Sequence, residues 1–209
     1  ANFQSLRLVL PLLLAIVVLL GLFRIWVPQF LGAENLLDLA QQISVNAILA
    51  YGMTLVILIG GIDLSVGAVV ALIGTVTVAV LARGGLATGL LAGFGMAALF
   101  GAINGVCAAR TRMPPFIITL ATMLVARGVA LRFNAGRPLA VPDTEKLFLA
   151  LGNARLFGFL PVPVVLMLAA FALTAVLLHR TRFGQHLYAI GGNRETARFT
   201  GIPLARNEV

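Results

Sequence analysis

The sequence predicts an all-α integral membrane protein, a polytopic helical bundle with about six spanning helices. Three observations carry that prediction. Of 209 residues, 60% are hydrophobic and 11% charged, whereas soluble domains are about 45–50% apolar and about 25% charged. Mean hydropathy is +1.04. The apolar residues also lie in continuous runs, whereas a spanning barrel would alternate. These values exclude an ordinary cytosolic enzyme, a disordered chain and a small secreted scaffold. Cys107 is the single cysteine, so neither an intramolecular disulfide nor a cysteine cluster is available. No repeat occurs at solenoid periods.

The first run, Leu8 to Phe23, continues past Arg24 through Ile25, Trp26 and Val27. It resembles a signal peptide, but Trp26-Val27-Pro28-Gln29-Phe30 stands where small cleavage-site residues belong, so an uncleaved span is expected. The second run is Ile43 to Ile59, the third Leu64 to Leu81, and the fourth Leu86 to Ala109, without a charge. The fifth, Phe116 to Ala126, is short and extends past Arg127 to Phe133. Arg127 must reach the interface or pair. The sixth is Leu160 to Leu178. A bilayer core takes about 20 apolar helical residues, which five runs meet or nearly meet.

Charge supports the same layout. The balance is 15 Lys+Arg against 7 Asp+Glu, a net of +8. With a cytoplasmic N-terminus, six crossings put Arg7, Arg110, Arg112, Arg180, Arg182, Arg194, Arg198 and Arg206 inside. The outside receives Arg24, Arg83, Arg137, Lys146 and Arg155, diluted by Glu34, Asp38, Asp143 and Glu145. Cationic residues favour the cytoplasmic side, as in membrane proteins generally. The net charge therefore needs no nucleic-acid partner; membrane lipid is the expected surrounding.

Polar and small residues inside the runs are the candidate functional positions. Gly93, Ala97, Gly101 and Gly105 recur every fourth residue, a strip that permits close helix approach. Asn104 beside it hydrogen-bonds across helices or faces a substrate path. Asp63 is the only carboxylate between Asp38 and Asp143. Asp63 or Ser65 can cap the third helix, after a reversal allowed by Gly60 and Gly61; the alternative is a proton- or ion-coupling carboxylate. Pro114-Pro115 is placed to start the fifth helix, with Thr119 and Thr122 behind it. His179 and His186 lack a catalytic partner set. No HExxH, GxSxG or phosphate-binding loop motif occurs, so any nucleotide chemistry belongs to another chain.

Met53-Thr54-Leu55-Val56-Ile57-Leu58-Ile59-Gly60-Gly61-Ile62-Asp63-Leu64-Ser65-Val66-Gly67 resembles the signature of permease subunits of ribose-type ABC importers. Asn104-Gly105 with its short basic loop, Pro115-Phe116-Ile117-Ile118-Thr119-Leu120-Ala121-Thr122-Met123, and the segment Thr181 to Asn193 agree with that family. The resemblance covers about Leu36 to Ile202. Glu195-Thr196-Ala197-Arg198-Phe199-Thr200-Gly201-Ile202 is similar to the family's Glu-Ala-Ala-xxx-Gly coupling loop, with Thr196 in place of the middle Ala.

The resemblance implies a monosaccharide importer working by alternating access. It implies a second permease subunit (a homodimer), a cytoplasmic ATP-binding subunit that holds ATP and Mg, and a periplasmic sugar-binding protein. The setting is the bacterial inner membrane. The chain itself is expected to be no enzyme and to bind no cofactor or metal. Residues 180–205 are the expected coupling segment, with Arg194, Glu195, Thr196, Ala197, Arg198, Gly201 and Ile202 at the ATPase. Small Ala197 and Gly201 are expected to face that partner; the alternative is a solvated turn. Gly61, Asp63, Leu64, Ser65 and Gly67 form the signature. Asn46, Thr54, Asn104, Thr119 and Thr122 are the expected path-lining groups, since a sugar path needs hydrogen bonds rather than charges. The outer loop from Pro138 to Phe159 is a candidate dock for the binding protein. Such permeases run to about 300 residues, so 1–209 are expected to be the N-terminal two-thirds of the transmembrane domain. The rival reading is a proton-coupled secondary transporter with Asp63 as carrier.

Overall fold

The structure is a computed structural model and describes residues 3–111, 113–133 and 135–204, with side chains from Leu10 onward. Arg112, Arg206 and the side chain of Arg7, three of the expected cytoplasmic charges, lie outside the described residues. Helix α1 spans Phe3–Trp26 and α2 spans Ala33–Leu58. Helix α3 spans Val66–Arg110, α4 Pro115–Phe133 and α5 Lys146–Asn153. A short antiparallel pair, β1 (Arg155–Leu156) and β2 (Leu160–Pro161), leads into α6 (Val162–Arg180). Helices α7 (Arg182–Gly192) and α8 (Arg194–Phe199) follow. The β pair is the only strand structure among the described residues.

Each apolar run falls largely inside a helix, and the boundaries have physical causes. Helix α2 begins ten residues before the second run because its first turns carry Glu34, Asp38, Gln41 and Gln42, which interrupt apolarity but not helix. Among the described residues α2, α3, α4 and α6 are long and apolar enough to cross a membrane. Helix α3 holds both the third and fourth runs. At 45 residues it would extend about 68 Å if straight, more than twice a bilayer core of about 30 Å. Gly85 resolves this: at φ +80°, ψ −178° it is non-helical and joins two arms, 66–84 and 86–110.

The arms fold back on each other through glycine. A Cβ on Gly89 would lie 2.6 Å from the Leu81 Cβ and 3.0 Å from the Thr77 carbonyl oxygen. A Cβ on Gly93 would collide with the Thr77 hydroxyl. Close approach at 93 agrees with the expected packing strip, but the strip does not continue as expected. Gly101 has open space around it, and Gly101 and Gly105 line a groove instead. The hairpin packs against α4 around Leu72, Phe100 and Ala126, with Ala68, Val76 and Met96 against them. Pro115 opens α4, and the Ile117 N–H donates to the Pro114 carbonyl, as a proline-led start requires.

The second packed group joins α2, α5, α6 and α7. The β pair turns through Phe157 (φ +55°) and Gly158 (φ +82°). It is tied to the start of α2 by Arg155 Nη2 to Asp38 Oδ1 at 2.7 Å, and α5 is tied there by Gln41 Nε2 to the Gly152 carbonyl at 2.8 Å. At the other end α7 folds back on α6. The Thr181 hydroxyl donates to the Leu177 carbonyl at 2.5 Å and accepts the Gly184 N–H at 3.2 Å. A Cβ on Gly184 would run into the Leu178 carbonyl, and one on Gly191 into the Leu58 carbonyl. Thus α7 is held against the ends of both α6 and α2.

Candidate functional site

The signature segment begins as the end of α2. Gly60 sits at φ +78°. Its N–H donates to the Ile57 carbonyl at 2.9 Å, and the Gly61 N–H donates to the Val56 carbonyl at 2.9 Å. This is the paired C-terminal closure that a left-handed residue makes possible. Gly61 has a separate reason: a Cβ there would lie 2.9 Å from Val56 Cγ1. The chain then crosses to α3 through Ile62, Asp63, Leu64 and Ser65.

There the polar residues meet. The Thr122 hydroxyl donates to Asn104 Oδ1 at 2.6 Å. Asn104 Nδ2 donates to Ser65 Oγ at 3.0 Å. Ser65 Oγ donates to Asp63 Oδ1 at 2.6 Å, and the Ser65 backbone N–H donates to the same oxygen at 2.7 Å. Every donor in the series points toward the carboxylate, the arrangement in which successive bonds polarise one another. Beside it, Thr119 Oγ1 accepts the Leu64 N–H at 3.1 Å and lies 3.2 Å from the Ile62 carbonyl. Ser65, Thr119 and Thr122 are buried. Three segments, the α2–α3 link, the end of α3 and the start of α4, are thereby joined where a lone polar group would be costly.

The cap expected at Asp63 or Ser65 takes a different form. Ser65 is the residue before α3 but makes no side-chain cap bond; its hydroxyl is turned to Asp63. Asp63 holds the Ser65 N–H, which precedes the helix rather than opening it. Helical rise places the cluster. Asn104 lies six residues before the C-terminal end of α3 and Thr119 four after the start of α4. Both are therefore about 6–9 Å inside.

A groove of about 680 Å³ opens beside the cluster. Asp63, Asn104 and Thr119 line it together with Gly101 and Gly105, and so does Arg194 of α8. Of the five expected path residues, the structure brings Asn104, Thr119 and Thr122 together. Asn46 is exposed on α2, and Thr54 is exposed with its hydroxyl bound to the Ala50 carbonyl at 2.8 Å. Neither lines the groove. In the signature, Gly67 is exposed with open space around it, and nothing in the structure accounts for glycine there.

The expected coupling segment forms α8. Asn193 Oδ1 accepts the Thr196 N–H at 2.9 Å and caps its start. Gly201, at φ +83°, ends it: the Gly201 N–H donates to Arg198 and the Ile202 N–H to Ala197, both at 3.1 Å. Ala197 does not face outward as expected. It is 3% exposed, because α8 lies on α7 and needs a small residue on its inner side. The outward face is Arg194, Glu195, Thr196, Arg198 and Phe199. Phe199, 86% exposed, was missed in the sequence reading. An aromatic next to Arg198 in an otherwise polar hexamer was the available signal.

The sequence matches, over residues 35–209, the family described as "Branched-chain amino acid transport system / permease component". The "Ribose import permease protein RbsC" of Bacillus subtilis (strain 168) is 40% identical over 183 residues, 87% of this chain and 56% of that protein. Its namesake in Escherichia coli (strain K12) is 40% identical over 206 residues, 94% of this chain and 62% of that protein. The E. coli "L-arabinose transport system permease protein AraH" is 36% identical, covering 88% of this chain and 56% of that protein. The chain thus spans about three-fifths of the length of these relatives. No solved structure matches. With its long apolar helices, this is a multi-pass chain of the inner membrane. By the extent of these matches, the chain belongs to the branched-chain amino acid transport system / permease component family.

Proposed function

We propose that this chain forms part of the membrane-spanning permease of an ATP-driven importer for a monosaccharide, with 1–209 in the transmembrane domain and 180–205 as its coupling segment. Two permease copies line a path between them. A periplasmic binding protein delivers the sugar at the outer face, against the hairpin region between Pro138 and Phe159. Two cytoplasmic ATPase subunits bind ATP and Mg, close on α8 and drive the permeases between outward-open and inward-open states.

The observation that carries this reading is the continuity of one groove from Asp63, Asn104 and Thr119 to Arg194 at the start of α8. Any displacement of α8 alters the wall of the polar groove directly. Arg194, Glu195 and Arg198 supply charges to a partner's rim, and Phe199 supplies an apolar anchor of the kind that dominates interfaces. Neutral hydrogen-bonding groups suit a sugar, and the relatives named for ribose and arabinose support that class. The proton-coupled reading is less favoured. Asp63 is the one acid among the described groove residues, and no histidine accompanies it to pass a proton on.

Reconstitution tests the proposal. The permease containing this chain, with its ATPase and binding protein in proteoliposomes, takes up a pentose only when ATP is supplied. Uptake driven by a pH gradient without ATPase or binding protein would sink the importer reading.

A further inference from the structure

We propose that the free side of the Asp63 carboxylate is a sugar-hydroxyl acceptor, making the groove beside it a ligand station near the cytoplasmic mouth. The choice of a monosaccharide rests on the import reading above. Four observations converge on it.

First, Asp63 is oriented. Its Oδ1 accepts both the Ser65 N–H and the Ser65 hydroxyl, and the bonds from Asn104 and Thr122 hold Ser65 in turn. Second, its Oδ2 accepts no hydrogen bond among the described residues, while no buried polar side-chain atom of the described residues lacks a partner. That oxygen is therefore accessible, on a residue that lines the groove. Third, the groove's volume of about 680 Å³ is that of a small-ligand cleft, about 300–1,000 Å³. Glycines at 60, 61, 101 and 105 keep its wall low.

Fourth, charge selects the ligand. Asp63 and Arg194 line the same groove. A cation meets the guanidinium and an anion meets the carboxylate, so both are disfavoured. A neutral ligand rich in hydroxyls donates to the carboxylate and meets no like charge. A lone carboxylate with few further oxygens also falls short of a metal site, and no metal-holding cluster occurs among the described residues.

The test uses a reporter outside the hydrogen-bonded cluster. Met113 lines the groove and is 49% exposed. In a Cys107→Ser background, Met113→Cys in the purified full-length transporter is alkylated with a small maleimide. D-ribose or L-arabinose at millimolar concentration is expected to slow the reaction. Asp63→Asn keeps an oxygen to accept from Ser65 but presents a donor to the groove, so the sugar concentration for half-protection is expected to rise about tenfold. Ser65→Ala keeps the carboxylate and removes one restraint on it, and a smaller rise is expected. Equal protection in the parent and Asp63→Asn, or no protection by either sugar, overturns the station. ATP-driven uptake of the same sugars, measured on the same preparation, reports separately on the import reading. Uptake without protection removes the station alone, and protection without uptake removes the import reading alone.

Discussion

Gly60 and Gly201 end α2 and α8 with the same pair of backbone bonds, at φ +78° and +83°. For an L-residue that conformation costs about 1 kcal/mol, and asparagine tolerates it better than most. A Cβ on Gly201 would meet nothing within 4 Å, so a side chain there meets backbone strain and, in the proposed assembly, the ATPase. Gly201→Asn is therefore expected to retain more uptake per ATP hydrolysed than Gly201→Val. Gly201→Arg should uncouple hydrolysis from uptake while the protein still inserts, and normal uptake by that variant refutes the coupling role. Asn104 bridges Ser65 and Thr122. Such interhelical bonds average about 0.6 kcal/mol in membranes, with a ceiling near 1.7. Asn104→Ala and Thr122→Ala should cost amounts in that range, and the double variant less than their sum. Denaturant titration in bicelles reads all three.

At the scale of elements, the α3 hairpin makes the sharpest forecast. The obstacle to a Cβ at Gly93 is the Thr77 hydroxyl, a side-chain atom. At Gly89 it includes the Leu81 Cα and the Thr77 carbonyl, which cannot move aside. Gly93→Ala should lower thermal stability, and adding Thr77→Ala should restore much of the loss. Gly89→Ala should not be rescued by Thr77→Ala. Equal rescue at both positions would contradict the packing. The hairpin also explains what was legible in the sequence. Its two apolar runs were visible because lipid demands continuous apolarity. The break between them was visible too, because Arg83, Gly84 and Gly85 interrupt the apolarity; that Gly85 alone would make the connection was not. Helix α5 was hidden likewise: eight residues, Lys146–Asn153, sit outside the membrane where no hydropathy signal marks them. The members of the Asp63 cluster were individually visible as polar residues in apolar runs. Their meeting was not, because it depends on the crossing of α3 and α4. Ala197 was misplaced because small size is equally useful on either side of a short helix, and only the contact with α7 decides.

For the molecule as a whole, orientation is the testable quantity. The basic segments 179–182 and 194–198 share one end, and Glu34, Asp38 and the β pair share the other. In a Cys107→Ser background, Phe157→Cys should react with an impermeant maleimide in intact spheroplasts, and Thr196→Cys only after permeabilisation. The reverse pattern would invert the topology. The Arg155–Asp38 pair joins outer segments 117 positions apart. Its side chains are 35% and 50% exposed, so Asp38→Asn is expected to cost under about 1 kcal/mol. The hairpin in α3 bears finally on biogenesis. Two spans joined through one non-helical residue leave almost nothing to thread to the far side. Neither arm can settle across the bilayer while the other waits in the cytoplasm, because Gly85 supplies no slack. The pair must leave the insertion machinery as a unit, already folded against itself, and the glycines at 89 and 93 let it close before any other helix arrives.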